Sequence, residues 1–72
     1  MKFNPENEYA LMNRAVTNSV LKKYEEAEKD FSCAMERCPH WAALYFNRAS
    51  FYVYLKKYKL AEEDLGIGRR IL

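Results

Sequence analysis

The side chains best equipped for chemistry in this 72-residue chain fall into a few small groups. Cys33, Cys38 and His40 form a C-x4-C-x-H string. Arg14 and Arg48 each stand sixteen residues ahead of an acid, Asp30 and Asp64, and each follows an asparagine, Asn13 and Asn47. Gly66 and Gly68 lie two apart near the C-terminus. The cysteine and histidine string offers three ligands at a spacing that matches no common zinc pattern, so no metal site is expected. The cysteines fall five apart in one predicted helix and point to different parts of its surface. A disulfide between them is not expected; they read as free thiols in a reducing compartment. His40 sits beside Pro39 and Trp41 with no serine, cysteine or carboxylate placed to partner it, which leaves no nucleophile and base to assign. The glycine pair follows no predicted strand and lacks the third glycine of a dinucleotide loop. No catalytic residue and no cofactor is therefore assigned, and the chain is not expected to be an enzyme.

The charge nominates no partner. A formal charge of +2 and a pI near 8.6 fall short of the concentrated basic patch of a nucleic-acid binder. Tyrosines can stack on single-stranded bases, but the near-neutral charge argues against that use. No apolar run is long enough for a signal peptide or a bilayer span. Neither nucleic acid nor membrane is thus expected as a partner, and the chain is read as cytoplasmic or nuclear. Half the residues are apolar and 31% are charged, the balance of a globular chain. Its length supports one small domain over residues 1–72.

The elements that must position these groups repeat. A shift of about 34 residues lays Asn13-Arg14-Ala15 on Asn47-Arg48-Ala49 and Leu21-Lys22-Lys23-Tyr24 on Leu55-Lys56-Lys57-Tyr58. The same shift lays Ala27, Glu28 and Asp30 on Ala61, Glu62 and Asp64. Leu11, Ala15, Asn18 and Leu21 follow one helical face, and Tyr45, Ala49, Tyr52 and Leu55 follow it again without a polar interruption. Ala27, Phe31, Ala34 and Met35 form another stripe. Asn4-Pro5-Glu6 is a good helix start, with a capping side chain, a first-turn proline and an acid at the positive end of the dipole. Pro39 is a good stop. Helices are predicted at about 5–21, 25–37, 42–55 and 59–68. The lysine pairs fall at hairpin tips and extend into solvent, while Tyr24 and Tyr58 are expected to fill the space where each hairpin closes. Gly66 and Gly68 weaken a helix by about 0.5 to 1 kcal/mol each, so fraying from Gly66 is expected.

With these residues the chain resembles the tetratricopeptide repeat family from about Glu8 to its C-terminus. Leu11, Ala15, Tyr24, Ala27, Phe31, Ala34 and Pro39 match the signature of one unit, and Tyr45, Ala49, Tyr52, Tyr58, Ala61 and Leu65 that of a second. Asn18 departs from it, standing where a large aromatic is usual. The resemblance implies an all-α fold of two stacked antiparallel helical hairpins, with one repeat at about 8–41 and another at about 42–72 that is incomplete at its C-terminus. Arrays of this class usually need three or more units and a terminal cap. The chain is therefore expected to be a piece of a longer array, a scaffold whose exposed last helix otherwise offers a route to self-association.

In this family the first helix of each hairpin lines a concave groove. The resemblance therefore implies a peptide-binding groove of Tyr9, Met12, Asn13 and Val16 with Phe46, Asn47, Ser50 and Tyr54. Amide side chains both donate and accept, so Asn13 and Asn47 suit the backbone of an extended peptide. Tyr9 and Phe46 have a second reading, as packing between hairpins. A complete carboxylate clamp is not expected, because Met12 and Val16 replace the lysine and asparagine it needs. Arg14 with Asp30 and Arg48 with Asp64 read as structural ion pairs that fix the register of each hairpin, since a planar guanidinium can meet a carboxylate with two parallel hydrogen bonds.

Overall fold

The computed structural model describes residues 5–72, and the described residues are all-helical. Helix α1 runs Pro5–Val20, α2 Tyr24–Arg37, α3 Ala42–Tyr54 and α4 Tyr58–Ile71. Helix α1 packs on α2, and α3 on α4. The chain divides into two compact units, Met1–Pro39 and His40–Leu72, each a helical hairpin. The antiparallel sense shows in which residues meet: Glu8 reaches Arg37 while Arg14, further along α1, reaches Asp30, nearer the start of α2. Asn4, the expected cap of α1, lies outside the described residues. The acids Glu6 and Glu8 stand in the first turn of that helix, where the dipole favours them.

Each hairpin turns in three residues by the same device. Lys22 and Lys56 adopt φ of 65° and 61°, the left-handed conformation that glycine or asparagine usually supplies after a helix. Lys23 N–H then donates to Asn18 C=O at 2.8 Å and Lys22 N–H to Ser19 C=O at 3.2 Å; Lys57 to Tyr52 and Lys56 to Val53 repeat the pattern, both at 2.9 Å. These paired bonds satisfy the last carbonyls of α1 and α3 in a Schellman arrangement. The following helices start without side-chain caps at Lys23 and Lys57. Packing, more than local capping, must therefore hold α2 and α4 in place.

In the first unit Ala15, Ala27, Phe31 and Ala34 are fully buried, and in the second Leu44, Ala49, Phe51 and Ala61 are nearly so. Alanines at these places let paired helices approach closely, while the larger rings fill the remaining space.

Two expectations are corrected. Helix α4 does not fray at Gly66 but continues to Ile71, with Leu72 N–H donating to Gly68 C=O at 3.2 Å. The reason is packing: Gly68 is buried under the Phe46 ring, and a Cβ built there would lie 2.7 Å from Phe46 Cε1. Glycine at this place permits a close approach that offsets its low helix propensity. Tyr58 does not close its hairpin as Tyr24 does. Each is the first residue of its helix, yet Tyr24 is half-buried while Tyr58 is 59% exposed.

Candidate functional site

Each hairpin is organised around a fork between its two helices. In the first, Arg14 Nε donates to Asp30 Oδ2 at 3.0 Å and Arg14 Nη2 to Asp30 Oδ1 at 2.8 Å. In the second, Arg48 Nε donates to Asp64 Oδ2 at 2.7 Å and Nη2 to Oδ1 at 2.8 Å. Both carboxylates are buried, so their charge must be met inside the protein. The hydrogen bond to the acid is the main reason that both guanidinium groups hold their protons more tightly than an ordinary arginine; burial acts the other way.

The forks differ in what covers them. Arg48 lies 5.5 Å from the centre of the Tyr52 ring and 6.0 Å from that of Tyr45, within range for cation–π attraction. In the first hairpin Leu11 and Asn18 occupy the corresponding places. Asn18 Nδ2 donates to Asp30 Oδ2 at 3.1 Å, so the polar residue that interrupts the apolar face of α1 serves as a third donor to the buried acid.

The residues expected to line a groove lie on α1 and α3 as follows. Asn13 and Tyr9 are exposed, Val16 is half-buried and Met12 is buried. On α3, Ser50 and Tyr54 are exposed, while Phe46 and Asn47 are half-buried. Met12 therefore offers little surface, and the Phe46 ring is committed to Gly68 within its own hairpin. Asn47 Nδ2 donates to Ala43 C=O at 2.8 Å, one turn earlier on α3, and Ser50 Oγ donates to Phe46 C=O at 3.4 Å. Each amide or hydroxyl keeps acceptor capacity beyond such a bond.

Glu8 was not singled out from sequence, yet it is among the most buried charged residues described. Its Oε1 lies 3.5 Å from Arg37 Nη1, and its Oε2 is buried with no hydrogen-bond partner among the described residues. Beside it, burial first and then the Glu8 carboxylate push the Cys38 thiol above its ordinary pKa. This thiol stays protonated and poorly nucleophilic at neutral pH. The repeat register held the signal: the same shift lays Glu8 on Ala42, which is also buried. Cys33 is a half-buried free thiol on α2.

Over 23 residues, 32% of the chain, it is 74% identical to tetratricopeptide repeat protein 6 of Homo sapiens, of which this is 4%. The chain belongs to the tetratricopeptide repeat family. Other relatives of this repeat chain match over longer stretches. It is 36% identical over 65 residues, 88% of its length, to RNA polymerase II-associated protein 3 of Xenopus tropicalis, and 43% identical over 47 residues, 65% of its length, to neutrophil cytosol factor 2 of Homo sapiens. It spans a tenth or less of the length of each of these relatives. No family model and no solved structure matches. No helix among the described residues of this tetratricopeptide repeat chain is long and apolar enough to cross a membrane.

Proposed function

We propose that the chain is a non-enzymatic protein-interaction module that takes a peptide or partner protein in a concave helical groove, with Asn13 and Asn47 gripping the backbone of the bound segment. Tyr9, Met12, Val16, Phe46, Ser50 and Tyr54 supply its apolar and hydroxyl contacts. The observation that carries this reading is the recurrence of an asparagine at one register of each hairpin's first helix, immediately before the arginine that anchors that helix. An amide side chain can both donate and accept, which suits the backbone of an extended segment. One relative's name describes association with RNA polymerase II, in keeping with a role in assembly. The module belongs in the cytoplasm or nucleus, as one domain of two repeats, and in this reading forms part of a longer array.

The test is capture of partners from a cell extract by the chain and by the Asn13→Ala/Asn47→Ala variant. Partners lost by the variant, with helicity unchanged, support the groove; partners retained in full sink it. A second reading, a spacer or self-association element, rests on the end of α4, where Ile67 and Ile71 are half-buried and Leu72 is exposed. Sedimentation across a concentration range separates the two, because self-association makes the apparent mass rise with concentration.

A further inference from the structure

The tip of the second hairpin departs from that of the first in a way the fold does not require. Both turns read Leu-Lys-Lys-Tyr, but α2 continues with Glu25 and Glu26 whereas α4 continues with Lys59 and Leu60. Acids in the first turn stabilise a helix through its dipole, and a lysine there opposes it. Helix α2 follows that rule and α4 has no acid in its first turn. Burial compensates only in part: Lys59 is exposed, and Leu60 keeps 40% of its surface in solvent, beside Tyr58 at 59% and Tyr54 at 63%. A local rule broken by residues that stay this exposed points to something other than the fold in the choice of residue types.

The chemistry of the tip is consistent along its length. Lys56, Lys57 and Lys59 interleave with the exposed surfaces of Val53, Tyr54, Tyr58 and Leu60, and no acid occurs from Val53 to Ala61. The charge of the whole unit agrees: residues 40–72 hold six basic and three acidic residues, a net +3, whereas residues 1–39 hold six basic and seven acidic, a net −1.

We propose that this tip docks an acidic segment of a partner protein, one in which carboxylates flank an aliphatic or aromatic side chain. Tyrosine gives large contact area for little conformational entropy, and surrounding lysines steer carboxylates and set their register. A broad anionic surface such as a bilayer fits less well. Glu62 and Glu63 follow within one helical turn, about 5 Å, inside the screening length of about 8 Å at physiological salt. A flat negative surface meets these acids together with the lysines, while a short segment seats on the lysines alone. The surface is separate from the asparagines of the groove and shares only Tyr54 with it.

The test is a fluorescence-anisotropy titration of the 72-residue chain with a labelled probe peptide in which leucines are set between glutamates and aspartates. The decisive variant is Lys59→Glu/Leu60→Glu, which gives α4 the first turn of α2. It adds acids where the helix dipole favours them, so its thermal midpoint should hold or rise while its affinity for the peptide falls by about tenfold or more, as expected for losing apolar contact and reversing a charge. Asn13→Ala/Asn47→Ala should bind the peptide as the parent chain does, which separates failure here from failure of the groove. Saturable binding, weakened by salt and by the tip variant, supports the proposal. Absence of binding, equal binding by the tip variant, or stronger retention on phosphatidylserine-containing vesicles than on the peptide overturns it.

Discussion

The two hairpins carry the same fork at nearly the same distances, 2.8 and 3.0 Å in the first and 2.7 and 2.8 Å in the second, yet they embed it differently. The Arg14 side chain is 66% exposed, whereas that of Arg48 is 22% exposed and lies near two tyrosine rings. In the first hairpin the buried acid has a second donating residue, Asn18. In the second, Tyr52 stands in that place and shields the cation instead. Identical geometry therefore need not mean equal energy: a charge pair is worth what its surroundings and spare partners make it worth.

The sharpest way to break this comparison is to remove each arginine in turn. Arg48→Met leaves Asp64, whose side chain is 3% exposed, without its fork, and a stranded buried carboxylate destabilises by about 3 kcal/mol. Arg14→Met leaves Asp30 its bond from Asn18, and the arginine removed was largely in water, so the loss should be clearly smaller. Urea titration followed by circular dichroism measures both. Equal losses would mean that the tyrosine cover and the asparagine donor do not matter. Arg14→Met combined with Asn18→Ala should then bring the first hairpin closer to the Arg48→Met result.

Much of the fold was legible in the sequence because it rests on periodicity. The shift that overlays Arg14 on Arg48 and Asp30 on Asp64 also sets the pairing of helices, since a small residue and a charged one recur together on each facing stripe. The features that stayed hidden depend on contacts between residues distant along the chain. Gly68 looked like a weak point because local propensity counts against it; the Phe46 ring that occupies the space of its missing Cβ belongs to another helix. Glu8 was not singled out, because what buries it, the packing of α2 with Arg37, lies far along the chain. The left-handed lysines were hidden for a different reason, since lysine is not a residue from which that backbone conformation is inferred. Asn13 and Asn47 were legible as a pair by register alone, and register does not say what they bind.

The glycines of α4 sharpen the comparison at the level of packing. The repeat lays Phe46 and Gly68 on Met12 and Ala34, a larger residue with a smaller one against two of middling size. Gly68→Ala places a methyl 2.7 Å from the Phe46 ring; crowding of about 1 to 3 kcal/mol outweighs the helix propensity gained, which is about 1 kcal/mol. The expected net effect is a loss of about 1 kcal/mol. Gly66→Ala meets only Arg70 Nη2 at 4.0 Å, so two positions away the same change should stabilise by about 0.5 to 1 kcal/mol. Phe46→Met with Gly68→Ala installs the pairing of the first hairpin and should recover part of the loss. A double-mutant cycle on thermal midpoints reads this coupling, and additive effects would show that ring and glycine do not act as a unit.

The smallest effect concerns what the hairpins share. Lys22 and Lys56 hold φ of 65° and 61° in matching Schellman turns, where an L side chain is strained by roughly 1 to 2 kcal/mol and glycine is not. Glycine also loses more backbone freedom on folding, about 0.5 to 1 kcal/mol, so Lys22→Gly and Lys56→Gly should each stabilise by only about 0.5 to 1 kcal/mol. Because the turns have nearly the same φ and the same hydrogen-bond pattern, the two gains should agree with each other, unlike the losses of the arginine pair. Alanine at either position keeps the strain and removes the amine, so Lys56→Ala distinguishes relief of the backbone from loss of charge. A gain with alanine equal to that with glycine would assign the effect to charge, and a gain in only one hairpin would mean that the neighbouring side chains, which differ after the turn at Glu25 and Lys59, reach back into a backbone device that otherwise works the same way twice.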